Sequence, residues 1–113
     1  MIVNTRDIDV IADHISPSHQ GWTREVTVRT LGYKVRATIY RDSFDFQSRI
    51  KVEVWSEAQL SWNVIRHLDG SDHGDLPSAH GPKADTAEGK EQIFRGTADL
   101  VDELLAYAQE VLA

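Results

Sequence analysis

A chain of 113 residues is long enough for one domain with its own hydrophobic core. The absence of cysteine excludes disulfides and thiolate zinc sites, and no apolar stretch is long enough to cross a bilayer. The net charge of −6 argues against a protein that coats nucleic acid by bulk attraction, and without a secretory leader we expect a soluble, cytoplasmic protein.

Residues 5–15 carry apolar side chains at the spacing of one helix face. The positions at i, i+3, i+4 and i+7 are Ile8, Ile11, Ala12 and Ile15. We predict a short N-terminal helix over 5–15. It must end before Pro17, because a residue that precedes proline disfavours the helical conformation. An alternative is that residues 1–4 add a short edge strand.

Residues 22–68 alternate polar and apolar side chains with a period of two. This pattern is typical of strands with one buried and one solvated face. The pattern has four such runs. The first connection, Leu31-Gly32, predicts a tight hairpin, the second is a longer polar loop over 42–47, and the third is short. We predict an antiparallel meander of four strands, or of five if the N-terminus adds one. The alternation assigns Trp22, Tyr33 and Trp62 to the core.

Residues 69–90 contain four Gly, two Pro and almost no large apolar side chain, which predicts a long polar loop. Imidazole and carboxylate groups there are ligands that a divalent metal would use, so a metal-dependent hydrolase is one alternative. The weak metal candidates are His67, Asp72, His73 and His80. Because their spacing matches no recognised metal signature and suits a solvated loop equally well, we expect neither metal nor other cofactor.

The strongest helical pattern lies over residues 97–113. Thr97 is a good N-cap, and the apolar stripe consists of Val101, Leu104, Leu105, Ala108, Val111 and Leu112. We predict that this helix packs across the apolar face of the sheet. A continuous helix from Thr86 is an alternative, but Gly89 and Gly96 oppose it at about 1 kcal/mol each relative to Ala.

These elements predict a single α+β domain over residues 1–113. It would have a four-stranded, or five-stranded, antiparallel meander sheet with a C-terminal helix on one face and a short N-terminal helix. In size and element order it is similar to small α+β adaptor, inhibitor, antitoxin and phage-accessory proteins. Topology alone does not fix function.

Positive charge is concentrated on the predicted sheet. Residues 22–51 carry seven Lys or Arg against three acids, so this segment is +4 and the rest of the chain is −10. Basic and aromatic side chains are predicted to share the solvated face, together with an isoleucine: Arg29, Lys34, Arg36, Tyr40, Arg49, Lys51, Trp55, Ile65 and His67. Because Trp, Tyr and Arg most often anchor interfaces, we predict that this face binds a macromolecular partner.

The sequence contains no motif for nucleophilic catalysis and no phosphate-binding loop, so we predict a non-enzymatic binding or accessory protein without catalytic residues. The expected partner is another protein or a second copy of the chain, and we expect no membrane association. Single-stranded nucleic acid is an alternative, since cations would contact phosphates while rings stack on bases. A further alternative is that Trp55 is covered by Phe44 and Phe46 or by the N-terminal helix.

Overall fold

A computed structural model describes residues 7–18, 21–42, 48–70 and 85–113. These residues form five strands and one helix: β1 (Ile8–Ser18), β2 (Gly21–Thr30), β3 (Tyr33–Asp42), β4 (Ser48–Ser56), β5 (Ser61–Gly70) and α1 (Ala87–Leu112). The strands form one antiparallel sheet in sequence order. The predicted α+β meander, with its C-terminal helix on one face, is confirmed.

Residues 8–18 form the edge strand β1, so the prediction of an N-terminal helix over 5–15 was wrong. A β-bulge between Val10 and Ala12 leaves Ile11 as an extra residue. The bulge shifts the alternation by one, so Ile8 and Ile15 both pack against the core although they are seven residues apart. A bulged strand can therefore reproduce the spacing of a helix face. The alternative strand over residues 1–4 lies outside the described residues.

The helix α1 begins at Ala87, earlier than the predicted start at residue 97, so the alternative of a continuous helix from Thr86 is confirmed. Thr86 is its N-cap, with Oγ1 accepting a hydrogen bond from the Gly89 amide at 3.0 Å. Ile93 is fully buried against the sheet, and this packing outweighs the intrinsic cost of the helical glycines. Of the predicted 69–90 loop, residues 69–70 belong to β5 and residues 87–90 to α1, and residues 71–84 lie outside the described part of the chain.

The core lies between α1 and one face of the sheet. It is built from fully buried side chains of both layers: Trp22, Val28, Val35, Ile39, Ile50, Val52, Ile93 and Leu104. Trp22 is in the core as predicted, whereas Tyr33 is 43% exposed because it follows directly after the β2–β3 turn. None of the helical residues described here forms a segment long and apolar enough to span a membrane.

The buried Arg24 joins three elements inside this core. Its Nε and Nη2 donate to the two carboxylate oxygens of Asp13 on β1, at 3.1 and 2.8 Å. Its Nη1 donates to Thr97 Oγ1 at 2.7 Å and to the Phe94 carbonyl at 3.2 Å, both on α1. The guanidinium also lies 4.8 Å from the centre of the Phe94 ring. Burial of this charge is therefore matched by hydrogen bonds on both sides.

Candidate docking face

The face of the sheet opposite α1 is called the outer face. The strand register places eight of the nine predicted binding residues on it: Arg29, Lys34, Arg36, Tyr40, Arg49, Lys51, Trp55 and His67. Thr38, Lys51 and His67 are partners on β3, β4 and β5, and Tyr40 and Arg49 are partners in the next row. Partners in register on one face have Cβ atoms about 5 Å apart, so these side chains are neighbours.

A second β-bulge changes which β5 residues reach the outer face. The register passes from Val52 opposite Arg66 to Glu53 opposite Val64, which leaves Ile65 as an extra residue. Ile65 packs against the core instead of lying on the outer face as predicted. Trp62, predicted for the core, pairs with Trp55 on the outer face. The signal in the sequence was the consecutive apolar pair formed by residues 64 and 65, which breaks strict alternation.

Aromatic and charged side chains form a tryptophan cluster on the outer face, defined by Lys34, Arg36, Glu53, Trp55 and Trp62. The two indole rings meet edge to face, with centroids 5.5 Å apart and planes inclined at 68°. The Arg36 guanidinium lies 4.2 Å from the Trp62 ring centroid, and the Lys34 ammonium lies 5.7 Å from it. Both are cation–π contacts, which favour a fixed arrangement of these side chains.

The buried carboxylate of Glu53 fixes the position of Arg36 in this cluster. Its side chain is only 6% exposed, and Oε1 accepts hydrogen bonds from Arg36 Nε at 3.1 Å and Nη2 at 3.0 Å. Lys51 Nζ lies 3.6 Å from the same oxygen. Glu53 therefore balances part of the positive charge on the face, while Arg29 and Arg49 remain exposed to solvent.

Two depressions adjoin the tryptophan cluster. The hairpin cleft, of about 470 Å³, lies between the β2–β3 and β4–β5 hairpins and is lined in part by Tyr33, Lys34 and Trp55. The basic groove, of about 310 Å³, is lined by the polar side chains Thr23, Thr38, Tyr40, Arg49, Lys51 and His67. Volumes of this size can hold a partner's side chain or a small ligand.

His67 is the one weak metal candidate that can be placed, and it is exposed at the basic groove. Asp72, His73 and His80 lie outside the described residues, as do Phe44 and Phe46. Across the described ranges, no group of three or more His, Cys, Asp or Glu side chains could hold a metal ion. The outer face is therefore the best-defined candidate site in this part of the chain.

No protein-family model, curated protein or solved structure gives a significant match to this chain.

Proposed function

We propose that this protein is a non-enzymatic binding protein that docks an acidic protein partner on the outer face of its sheet. The observation that carries the proposal is the tryptophan cluster. Arg36 is held between the Trp62 ring and the buried Glu53 carboxylate, so its position is set before any partner arrives. Interface energy is concentrated in Trp, Tyr and Arg side chains, and pre-ordered side chains lose less entropy on binding.

Charge supports a partner of acidic character. The outer face carries five cations, Arg29, Lys34, Arg36, Arg49 and Lys51. Four acids share it, namely the buried Glu53, the half-buried Glu25, and Asp9 and Asp69 as register partners of Arg29 and Arg49, so the face has a small excess of positive charge. An acidic surface would be attracted to this face and oriented by it. Two copies that met through the same face would instead bring like charges together. These considerations favour a different protein over face-to-face self-association.

Single-stranded nucleic acid is the second candidate, and the ring geometry favours it less. Base stacking needs aromatic ring faces that a base can cover. Arg36 lies over the Trp62 ring at 4.2 Å, and the Arg49 guanidinium lies 5.9 Å from the Tyr40 ring centroid. Bases would have to displace these cations before stacking.

The proposal is tested by affinity purification from an extract of the source organism with the immobilised chain and two variants. Trp55→Ala removes a half-buried ring from the outer face, and Val111→Ala removes an exposed apolar group from α1. A specific acidic protein should be retained by the parent chain and by Val111→Ala, and lost with Trp55→Ala. Equal recovery on both variants would contradict the proposal. Urea unfolding of each variant controls for loss of the fold.

A further inference from the structure

Two hairpins at the same end of the sheet carry exposed leucines in a strained conformation. Alternate connections of an antiparallel meander lie at one end, so the β2–β3 and β4–β5 turns are neighbours, with hairpin axes about 10 Å apart. Leu31 in the first turn and Leu60 in the second have φ angles of 53° and 52°. Both side chains are exposed, Leu60 to 71%, so packing within the chain does little to offset the strain.

Asparagine or glycine would relieve the strain at both positions, because these residues tolerate the left-handed conformation and leucine does not. Residues held in such conformations cluster at binding and catalytic sites. The second turn is also ordered without a partner, because Ser56 Oγ accepts a hydrogen bond from the Gln59 amide at 3.2 Å. The two exposed leucines therefore point to a contact with another molecule.

The hairpin cleft lies between these two turns and is lined by residues of both, including Tyr33 and Ala58. Val54 and Trp55 in its wall are only half-buried, so aliphatic and aromatic groups stay accessible there. Trp55 and Lys34 also belong to the tryptophan cluster. The cleft is therefore continuous with the outer face.

A protein interface needs an apolar centre, and the charged rows of the outer face do not supply one. That face carries five Lys or Arg against four Asp or Glu. In interfaces, charged residues are depleted from the buried centre, where aromatic side chains are enriched, and the rim is polar. The hairpin cleft has aromatic and aliphatic walls, and its charged lining residues are Arg29, Lys34 and Glu57.

We infer that the hairpin cleft receives an aromatic side chain of the docked protein, and that Leu31 and Leu60 pack on aliphatic residues on either side of it. This inference rests on the proposed docking function and specifies the chemistry of the segment that makes the contact. A ring in the cleft would meet the rings of Tyr33 and Trp55 and lie near the Lys34 ammonium. An aliphatic side chain of the same size would be buried without these ring contacts.

The test uses three capped pentapeptides with the sequences Asp-Leu-Phe-Leu-Asp, Asp-Leu-Leu-Leu-Asp and Asp-Leu-Ala-Leu-Asp. An extended pentapeptide reaches about 17 Å, which is enough to span both turns. Each peptide is titrated into ¹⁵N-labelled protein and followed by amide chemical shifts. The phenylalanine peptide should give saturating shifts centred on Gly32, Tyr33 and Ala58. It should bind more tightly than the leucine peptide, and about tenfold more tightly than the alanine peptide.

Leu31→Asn and Leu60→Asn should each weaken binding of the phenylalanine peptide about threefold or more, and each should raise the midpoint of urea unfolding. Lower affinity together with higher stability distinguishes a binding role from a structural one. Val10→Asn is the matched control, because it removes a side chain that is 61% exposed on β1, on the helix side of the sheet and outside the cleft. This variant should bind the peptide with unchanged affinity.

Four results would overturn the inference: no saturable shifts with the phenylalanine peptide, binding no tighter than that of the leucine or the alanine peptide, an equal loss in Leu60→Asn and Val10→Asn, or lower stability in both turn variants. A short oligothymidylate that binds the cleft more tightly than the peptide would also overturn it, in favour of nucleic acid. Vesicles of phosphatidylglycerol that bind the parent chain and not Leu60→Asn would overturn it in favour of a lipid surface.

Failure of this inference is distinct from failure of the docking proposal, because docking is scored on recovery of the whole acidic protein. Recovery of that protein by the parent chain, with no peptide bound in the cleft, would leave docking intact and reject the aromatic contact. Saturable peptide binding without recovery of an acidic protein would sustain the cleft as a site for an aromatic side chain and reject docking.

Discussion

At the scale of single residues, Arg24 shows how one charged side chain can organise a small core. It is the charged residue on the buried face of β2, and its hydrogen bonds reach both the edge strand β1 and the helix α1. Apolar side chains pack in many ways, but a guanidinium requires acceptors at fixed positions. Arg24 therefore specifies the position of α1 over the sheet as well as stabilising it.

Replacing Arg24 with Met should lower the free energy of unfolding by about 2 to 4 kcal/mol, because the partly exposed Asp13 carboxylate and the buried Thr97 hydroxyl both lose their donor. The loss should be smaller than for a fully buried pair, since the Asp13 side chain is 29% exposed. Urea unfolding measures it. Arg29→Met, the same change at an exposed position of β2, should alter stability by less than about 0.5 kcal/mol. Similar values for the two variants would contradict this role for Arg24.

Leu31 is another residue with a specific energetic consequence. Leu31 and Gly32 have φ angles of 53° and 81°, so the two-residue β2–β3 hairpin has the positive φ values of a type I′ turn. Leucine is strained there and asparagine is not. Leu31→Asn should stabilise the protein by about 0.5 to 1 kcal/mol, and β-branched Leu31→Val should destabilise it. Thermal melts that gave the reverse order would rule out the left-handed turn.

At the scale of elements, α1 is a continuous helix although it contains two glycines. Gly96 is exposed in the helix interior, so nothing in the core depends on its missing side chain. Gly96→Ala should therefore raise stability by about 1 kcal/mol through helix propensity alone. Circular dichroism during urea unfolding measures the change. A loss of stability would show that residues 87–96 are not continuous with the rest of the helix.

The sequence predicted the regular elements well and the irregular ones poorly. Strict alternation located β2, β3 and β4, because none of these three strands contains a bulge and each keeps the same face against the core. The bulges in β1 and β5 shift the alternation by one residue. The first gave β1 the spacing of a helix face, and the second caused Trp62 and Ile65 to be assigned to the wrong faces of the sheet. The start of α1 was predicted too late because the burial of Ile93 depends on tertiary contacts that single-residue propensities do not include.

The candidate site was predictable to the same extent as the strands that carry it. Eight of the nine residues predicted for the binding face share the outer face. What the sequence could not show was the clustering of Trp62 with Arg36 and Glu53, since it depends on the β5 bulge. Nor could it separate the basic groove from the rest of the face, because that grouping depends on the register of three strands.

At the scale of the whole molecule, charge is divided between the two sides. Residues 85–113 carry seven Asp or Glu against two Lys or Arg, and all seven acids are exposed. The outer face, on the opposite side of the sheet, carries five Lys or Arg against four Asp or Glu. This separation orients the protein toward an acidic partner and repels a second copy that approaches through the same face.

We therefore expect a monomer of 12.7 kDa in sedimentation equilibrium at low and at moderate salt. Salt should weaken partner binding by screening the charges, and it should leave the mass of the isolated chain unchanged. The control is sedimentation of the Trp55→Ala variant, which should also have the mass of a monomer. A dimer that Trp55→Ala converts to a monomer would make a second copy the occupant of the outer face.

Site-specific photo-crosslinking tests the central claim most directly. The photoreactive residue p-benzoylphenylalanine would replace Val64, which is 53% exposed on the outer face, or Val111, which is 49% exposed on α1. We predict an adduct with the docked protein from position 64 only, suppressed by excess unlabelled parent chain and not by excess Trp55→Ala. An adduct from position 111 alone, equal adducts from both positions, or equal competition by Trp55→Ala would contradict docking through the outer face.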